Sequence, residues 1–278
     1  MTETRVQVSG LNIDYPAARV VKNLSFTLGN ERLALVGESG SGKSMTARAL
    51  MGLVRQPGKV SAEVLNVLGH DLRTLQAKGW RNLRGNGIAM VLQDPRYALN
   101  PVKTVLSQLD EALTLHQRLS RKQRLEKIHE VLCAVELEPG VLQRYPGQLS
   151  GGMGQRVMIA IALVNDPKVL IADEPTSALD AKLRNQILEL LVAQCEQRHM
   201  AMLLISHDLP LVAQHCHRVM VMYQGECVDA MPAPALPDAQ HPYTRTLWTC
   251  RPGAETYGTM LPTLDRRHSF SEVNDGRR

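Results

Sequence analysis

The alternation of hydrophobic and polar residues divides the chain into two kinds of predicted strand. Apolar and polar positions alternate over residues 6–13 and again over 60–68, the pattern of strands with one buried face. A further strand is predicted over residues 24–28, after a break at Pro16. Unbroken apolar runs predict strands that are buried on both faces of a parallel sheet, and they cover residues 33–36, 88–92, 169–172, 202–206 and 219–223.

Helical periodicity fills the interval between two of these buried runs. Residues 99–142 carry many charges at helical spacing, and an apolar helix is predicted over 157–164. Another helix is predicted to begin after Asp180 and to run to about residue 198. We therefore expect an α/β fold that has a parallel sheet, an antiparallel β subdomain and a helical subdomain inserted at about residues 95–160.

Composition narrows the class of protein only a little. The 278 residues are 44% hydrophobic and 21% charged, which is ordinary for a globular protein, and the net charge of +5 is compatible with nucleotide, anionic lipid or nucleic acid. Aromatic residues make up only 4%, which disfavours a base-stacking nucleic-acid surface, and the basic cluster within residues 118–127 is interpreted as a solvated helix face. The chain shows neither an apolar run of about 20 residues nor a signal-peptide core, so we expect a cytoplasmic protein.

The cysteines and a histidine-rich triplet offer weak metal-site candidates. The five cysteines form no Cys-x-x-Cys pair, which favours reduced structural thiols. His215-Cys216-His217 has suitable ligand types, but adjacent residues on a helix or strand point in different directions. A metal site at this triplet is therefore disfavoured.

A glycine-rich loop between a buried strand and a helix carries the strongest chemical signal. Its sequence is Gly37-Glu38-Ser39-Gly40-Ser41-Gly42-Lys43-Ser44. The glycines let backbone N–H groups converge on phosphate oxygens, and the helix that follows adds the positive end of its dipole. Lys43 supplies a positive charge for the β- and γ-phosphates, and Ser44 offers a hydroxyl to Mg²⁺. The loop therefore predicts nucleotide binding; an ordinary glycine-serine turn before a helix is the alternative.

Polar side chains follow three of the other buried strands where each strand ends. Asp173 and Glu174 are adjacent carboxylates, which are costly unless a cation meets them, so Asp173 is predicted to hold Mg²⁺ through water and Glu174 to polarise the attacking water. Gln93 is predicted to reach Mg²⁺ and that water, and His207 to sense the γ-phosphate. All of these residues are expected at the ligand-binding edge of the sheet.

A second candidate for anion binding precedes the apolar helix at residues 157–164. In Leu149-Ser150-Gly151-Gly152 the serine can cap the helix, and the glycines leave bare N–H groups at its positive end. A glycine-rich turn with a helix cap is the plain alternative. Two phosphate-seeking helix ends in one chain suggest that the second serves the nucleotide of a neighbouring molecule.

This ordered set of motifs resembles the ATP-binding-cassette (ABC) ATPases over about residues 5–230, and the signature Leu-Ser-Gly-Gly-x-x-Gln at 149–155 separates that family from other phosphate-loop proteins. The resemblance implies that two subunits sandwich two ATP molecules, each phosphate loop facing the partner subunit's signature. It also implies that Tyr15 stacks on adenine and that Gln155 and Asp180 belong to the nucleotide site.

A finer resemblance is to the ATPase subunits of oligopeptide, dipeptide and nickel importers. It is carried by Gln93-Asp94-Pro95, Leu99-Asn100-Pro101, His241-Pro242-Tyr243-Thr244 and Leu261-Pro262-Thr263. It implies a cassette at 5–235 and a C-terminal extension at 236–278 that ends in a polar tail. The implied partners are a second ATPase subunit, two permease subunits at the inner membrane and, indirectly, a solute-binding protein; no nucleic acid is expected.

The chain departs from the family pattern at three places. Gly154 stands where lysine or arginine is usual, and Ala181-Lys182-Leu183 replaces the common Val-Thr-Val. The C-terminal cysteine cluster of many peptide importers is missing, which tilts the expectation towards nickel or a metallophore. The alternatives are a soluble cassette ATPase that acts on nucleic acid and a phosphate-loop kinase, although a kinase leaves residues 149–152 unexplained.

Overall fold

The computed structural model describes residues 3–177 and 179–251. The strands it contains are β1 (Val6–Tyr15), β2 (Ala18–Leu28), β3 (Arg32–Val36), β4 (Lys59–Ser61), β5 (Val64–Val67), β6 (His70–Asp71), β7 (Ile88–Val91), β8 (Val169–Asp173), β9 (Ala201–Ile205), β10 (Arg218–Tyr223) and β11 (Glu226–Pro232). The helices are α1 (Lys43–Leu50), α2 (Ala77–Leu83), α3 (Pro95–Ala98), α4 (Val105–Thr114), α5 (Arg121–Ala134), α6 (Gly151–Leu163), α7 (Ala181–Gln197), α8 (Leu209–His215) and α9 (Pro242–Thr249). The predicted polar tail and Leu261-Pro262-Thr263 lie outside the described residues.

A six-stranded sheet in the order β11-β10-β3-β9-β8-β7 forms the centre of the fold. Its neighbouring strands are parallel except for β10 and β11, which form an antiparallel pair. The five unbroken apolar runs all lie in this sheet, so the strands predicted from them are confirmed. Because β3, β7, β8 and β9 are parallel, their carboxyl ends meet at one edge, where open α/β sheets bind ligands.

A second, antiparallel sheet differs in detail from the prediction. It has five strands, and the segment predicted as one strand over 60–68 splits into β4 and β5, which pair with different parts of β1. Strand β2 begins at Ala18 rather than at residue 24, and Tyr15, expected between two strands, is the last residue of β1 and pairs with Ala18. Pro16 lies in the intervening turn, where its missing N–H removes no ladder hydrogen bond.

Two hydrophobic clusters cover the two faces of the parallel sheet. In β3, Leu33 and Leu35 point into a cluster shared with α1 and the antiparallel sheet, whereas Ala34 and Val36 point into a cluster shared with α4 to α8. Helix α1 is therefore enclosed between the two sheets, and the loop that precedes it is held on a rigid base. The α/β class with an antiparallel sheet and helices between β7 and β8 is confirmed; the domain boundaries stay a prediction.

Two members of the basic cluster on and before α5, Arg124 and Lys127, pair with acidic neighbours. Arg124 Nε donates to Asp110 Oδ1 at 2.5 Å, and Lys127 Nζ lies 3.5 Å from Asp166 Oδ2. This pairing favours the solvated-face interpretation. Among the residues described, no helix has both the length and the apolarity needed to cross a membrane.

Candidate nucleotide site

The phosphate loop joins β3 to α1 at the carboxyl edge of the parallel sheet. Gly42 occupies the N-cap position of α1 with φ +103°, a conformation that glycine adopts without strain. It has no side-chain oxygen to bind the first-turn N–H groups, unlike Ser150 and Asp180, which cap α6 and α7 with their side chains. The first turn of α1 is therefore open to an anionic ligand.

Lys43 is buried within the loop that precedes it. Its Nζ donates to Gly37 O at 2.8 Å, to Glu38 O at 2.7 Å and to Ser41 Oγ at 3.2 Å. Burial lowers the pKa of this ammonium, and the charges of Glu174 and Asp173 act in the opposite direction. The loop carbonyls therefore hold the ammonium beside two carboxylates.

The loop rests on the hairpin formed by β10 and β11. A Cβ added at Gly37 would lie 2.1 Å from Met222 O, and the φ of Gly37 is +142°. The backbone N–H of Gly225, in the hairpin turn, donates to Ser41 O at 3.2 Å. The close approach of the loop to Met222 O is possible only because residue 37 has no side chain.

We expect Gly37→Ala to destabilise the protein by on the order of 3 kcal/mol, because the added methyl group meets backbone and the positive φ becomes strained. Urea unfolding followed by circular dichroism measures the change. Gly40→Ala is the matched control within the loop, since its φ of +83° is also positive but a Cβ there meets nothing within 4 Å. Equal losses for the two variants would contradict the proposed role of the Met222 contact.

The side chains of Ser44 and Asp173 meet where β8 ends beside the first turn of α1. Ser44 Oγ donates to Asp173 Oδ1 at 2.8 Å, and Asp173 is 8% exposed. Burial raises the pKa of this carboxyl, while the hydrogen bond from Ser44 lowers it. A hydroxyl and a desolvated carboxylate are the hard oxygen ligands that Mg²⁺ prefers, so the residues present fit the predicted metal.

Glu174 follows directly with an unusual backbone conformation. Its φ is +47°, sparsely populated for a residue other than glycine, and its N–H donates to Ile205 O at 2.9 Å. The bond to the end of β9 fixes this conformation and leaves the carboxylate 3.6 Å from His207 Nδ1, measured at Oε2. Glu174 and His207, which were predicted as site residues at the ends of two different strands, are thus neighbours.

Of the other predicted site residues, several are exposed at the ends of strands or the starts of helices, and others are half-buried. Gln93 is exposed just beyond β7, and Ser150, Gly151 and Asp180 are exposed at the starts of α6 and α7. Tyr15 is half-buried, and its hydroxyl donates to Arg55 O at 3.4 Å. Their roles towards nucleotide stay predictions.

Gln155, expected to belong to the nucleotide site, is a buried side chain. It is 1% exposed, and its Nε2 donates to Pro175 O at 2.6 Å, next to Glu174. Gln155 therefore links the first turns of α6 to the segment that carries the catalytic carboxylate candidate, and its role towards nucleotide stays a prediction.

Sequence reasoning missed two contacts around this edge. Arg184 Nη1, in the first turn of α7, donates at 3.0 Å to Asp208 Oδ2, beside His207. The hydroxyl of Tyr243, in α9, accepts from the backbone N–H of Glu38 at 3.1 Å. Residues 241–244 were singled out only through the family resemblance, and nothing in their spacing points to the phosphate loop.

Comparisons with known proteins find a matching family model, similar relatives and similar solved structures. The "ABC transporter" family model matches residues 21–177. The chain is 45% identical over 238 residues to the dipeptide transport ATP-binding protein DppD of Escherichia coli (strain K12), covering 84% of this chain and 73% of that protein. It is 44% identical over 290 residues to the glutathione import ATP-binding protein GsiA of the same strain, covering 96% of this chain and 46% of that protein. A dimeric structure of the ATP-binding cassette MJ0796 bound to ADP and Pi is similar at a TM-score of 0.71 and 28% identity, covering 82% of this chain and 98% of that one.

Proposed function

Because this chain belongs to the ABC transporter family, we propose that it is the ATP-hydrolysing subunit of a solute importer and acts beneath permease subunits at the inner face of a cell membrane. The observation that carries the proposal is the convergence at one sheet edge of Lys43, the Ser44–Asp173 pair and the Glu174–His207 pair. These are the groups that binding and hydrolysing a nucleoside triphosphate require.

Binding begins at the phosphate loop. The loop N–H groups and the open first turn of α1 take the β-phosphate, and Lys43 moves its ammonium from the Gly37 and Glu38 carbonyls to the phosphate oxygens. Ser44 and Asp173 would hold Mg²⁺, which when bound supplies positive charge to the phosphate oxygens. The half-buried ring of Tyr15 is the proposed adenine contact.

Hydrolysis needs one water molecule in line with the γ-phosphate. Glu174 accepts a hydrogen bond from that water and takes its proton as the new oxygen–phosphorus bond forms and the bond to the β–γ bridging oxygen breaks, which releases ADP and phosphate. His207, 3.6 Å from the Glu174 carboxylate, is the proposed donor to a γ-phosphate oxygen. Gln93 lies at the same edge and is the proposed group that orients the water.

We also propose that each nucleotide is enclosed by two subunits. In this chain Ser150 and Gly151 are exposed at the positive end of α6, and the Ser150 hydroxyl caps one first-turn N–H, that of Met153, at 3.3 Å. The remaining N–H groups of this first turn are the proposed anion site. The similar MJ0796 cassette has been described as a dimer. A second subunit that presents this helix end to the phosphate loop would complete the site, with Asp180 at the same interface.

The permease surface is proposed at the segment that follows Gln93. Tyr97 is 89% exposed and Val102 is 79% exposed, which is unusual for large hydrophobic residues on one short segment. Beside them lies a cavity of about 550 Å³ whose lining includes Asp94, Leu149 and Gly154. A Cβ at Gly154 would already lie 3.3 Å from Pro95, so a larger residue there would change the shape of this groove.

We expect Tyr97→Ser to reduce the permease-dependent stimulation of ATP hydrolysis about tenfold or more, because the apolar surface that the permease would bury is removed. Hydrolysis is measured in vesicles with and without the permeases. Basal hydrolysis by the isolated subunit should stay within twofold, since the exposed ring supports no core contact. Leu115→Ser serves as the control, because Leu115 is also a largely exposed apolar residue, 64% exposed just beyond α4. Unchanged stimulation in Tyr97→Ser would place the permease elsewhere.

The proposed cargo is a short peptide. Relatives named for dipeptide and glutathione transport support this choice, whereas the expectation of nickel rests only on the missing cysteine cluster. The nucleic-acid alternative gains no support, since Arg124 and Lys127 of the basic cluster near α5 are paired with acidic residues.

Vesicles that contain the cognate permeases and this subunit test the proposal. The expected result is ATP-dependent uptake of a radiolabelled dipeptide. This uptake requires the solute-binding protein, and the dipeptide outcompetes Ni²⁺ for it. Uptake of Ni²⁺ alone would correct the cargo, and ATP hydrolysis without any permease dependence would overturn the importer role.

A further inference from the structure

The short helix α9 packs against the phosphate loop although it lies about 200 residues further along the chain. Tyr243 is fully buried and Thr244 is 1% exposed, so the start of this helix belongs to the core. Burying a tyrosine hydroxyl is unfavourable unless it finds a hydrogen-bond partner. One partner of Tyr243 is the backbone N–H of Glu38, the second residue of the loop, at 3.1 Å.

Two contacts fix the tyrosine in this position. Its ring lies against that of Tyr223, with centroids 4.6 Å apart and planes inclined by 51°. The next residue, Thr244, donates its hydroxyl to Asp229 Oδ2 on β11 at 2.7 Å. Tyr223 ends β10 immediately before the turn whose Gly225 N–H donates to Ser41 O. The helix, the hairpin and the loop therefore form one connected unit.

The contact matters because Glu38 is held at both of its peptide groups. Its N–H is bound to Tyr243, and its carbonyl accepts from Lys43 Nζ at 2.7 Å. A change in the orientation of this residue therefore changes where the lysine ammonium lies. The Tyr243 hydroxyl bonds to the loop backbone, so it acts through the loop.

We infer that Tyr243 is a positioning residue for the phosphate loop, and that the chain beyond β11 thereby sets the affinity for ATP. The inference rests on the proposed nucleotide-binding role of the loop. A single hydrogen bond contributes about 1 kcal/mol, so its loss corresponds to a roughly fivefold weaker complex. The maximal rate should change little, because Glu174 and His207 are untouched.

Tyr243→Phe tests the inference because it keeps the ring and removes only the hydroxyl. The expected result is a three- to tenfold increase in the Kd and KM for Mg-ATP, a kcat within twofold of wild type, and clearly faster amide hydrogen exchange in the peptide that contains Glu38. The control is Thr249→Ala, on the same helix, whose hydroxyl bonds back to Arg245 O and Thr246 O. It should leave all of these values unchanged.

Wild-type Kd and wild-type exchange at Glu38 in Tyr243→Phe would overturn the inference alone. Failure of the wild-type chain to bind ATP would overturn the proposed function instead, and the inference with it. Should Tyr243→Phe not fold, Thr244→Val removes the anchor to Asp229 and keeps the tyrosine. It must then weaken ATP binding and speed exchange at Glu38, and unchanged values there would equally overturn the inference.

Discussion

Glu174→Gln is expected to bind ATP with nearly the affinity of the wild-type protein and to hydrolyse it at least about a hundredfold more slowly. Glutamine keeps the size of the side chain and its contact distance to His207, but it cannot take a proton from water. The positive φ of Glu174 and its N–H bond to Ile205 O are backbone features that glutamine retains. The loss therefore falls on the chemical step.

Single-turnover hydrolysis and equilibrium binding of ATP, both with the permeases present, separate the two effects. If two subunits enclose the nucleotide, the variant should also accumulate as an ATP-bound dimer, which size-exclusion chromatography detects. The control is Glu111→Gln, which breaks only a surface pair with Lys103. Hydrolysis at the wild-type rate in Glu174→Gln would show that another group activates the water.

The parallel sheet was predictable because its strands are buried on both faces. Continuous apolar runs such as residues 169–172 can satisfy their backbone only inside such a sheet, and the polar residues that follow them must then lie at its edge. Asp173, Glu174 and His207 could be assigned to one site for this reason. The glycine-rich turn at Ser150 already suggested an anion site, and the resemblance to a known family added the roles of Tyr15 and Asp180, which no local pattern specifies.

The errors come from features that depend on partners distant in sequence. The alternation over 60–68 is compatible with one strand, and only the lengths that pair with β1 decide that it forms β4 and β5. Gln155 was assigned to the nucleotide site only through the family resemblance, and its burial depends on a carbonyl at Pro175 that no local pattern shows. The contact of Tyr243 was missed for the same reason, since its partner Glu38 lies near the other end of the chain.

Gly37 and Glu174 both have positive φ, which strains the backbone of Glu174 and which Gly37 adopts because it lacks a side chain. Each is held by backbone contacts from a neighbouring strand or hairpin. Strain of this kind persists only where the surrounding structure fixes it. The rigid parallel sheet therefore aligns the loop and the carboxylate before nucleotide arrives, so that binding need not order them.

Lys43→Ala is expected to weaken ATP binding by about tenfold to several hundredfold. The ammonium supplies charge-assisted hydrogen bonds, each worth about 1.5–3 kcal/mol when the partner is ionised, and alanine supplies none. The same substitution removes the donor to the Gly37 and Glu38 carbonyls, so the loop loses its internal support as well. Isothermal titration with Mg-ATP measures the affinity, and thermal unfolding without nucleotide measures the cost to the fold.

Lys103→Ala is the matched control, because that lysine is a partly exposed residue paired with Glu111. It should bind ATP as the wild-type protein does. The lowered pKa of Lys43 arises mainly from burial, so removing its charge relieves a desolvation penalty, and we expect the unfolding temperature of the nucleotide-free variant to change by only a few degrees. A Kd within twofold of wild type in Lys43→Ala would contradict the placement of the triphosphate at this loop, and every role assigned to the residues around it would then need another site.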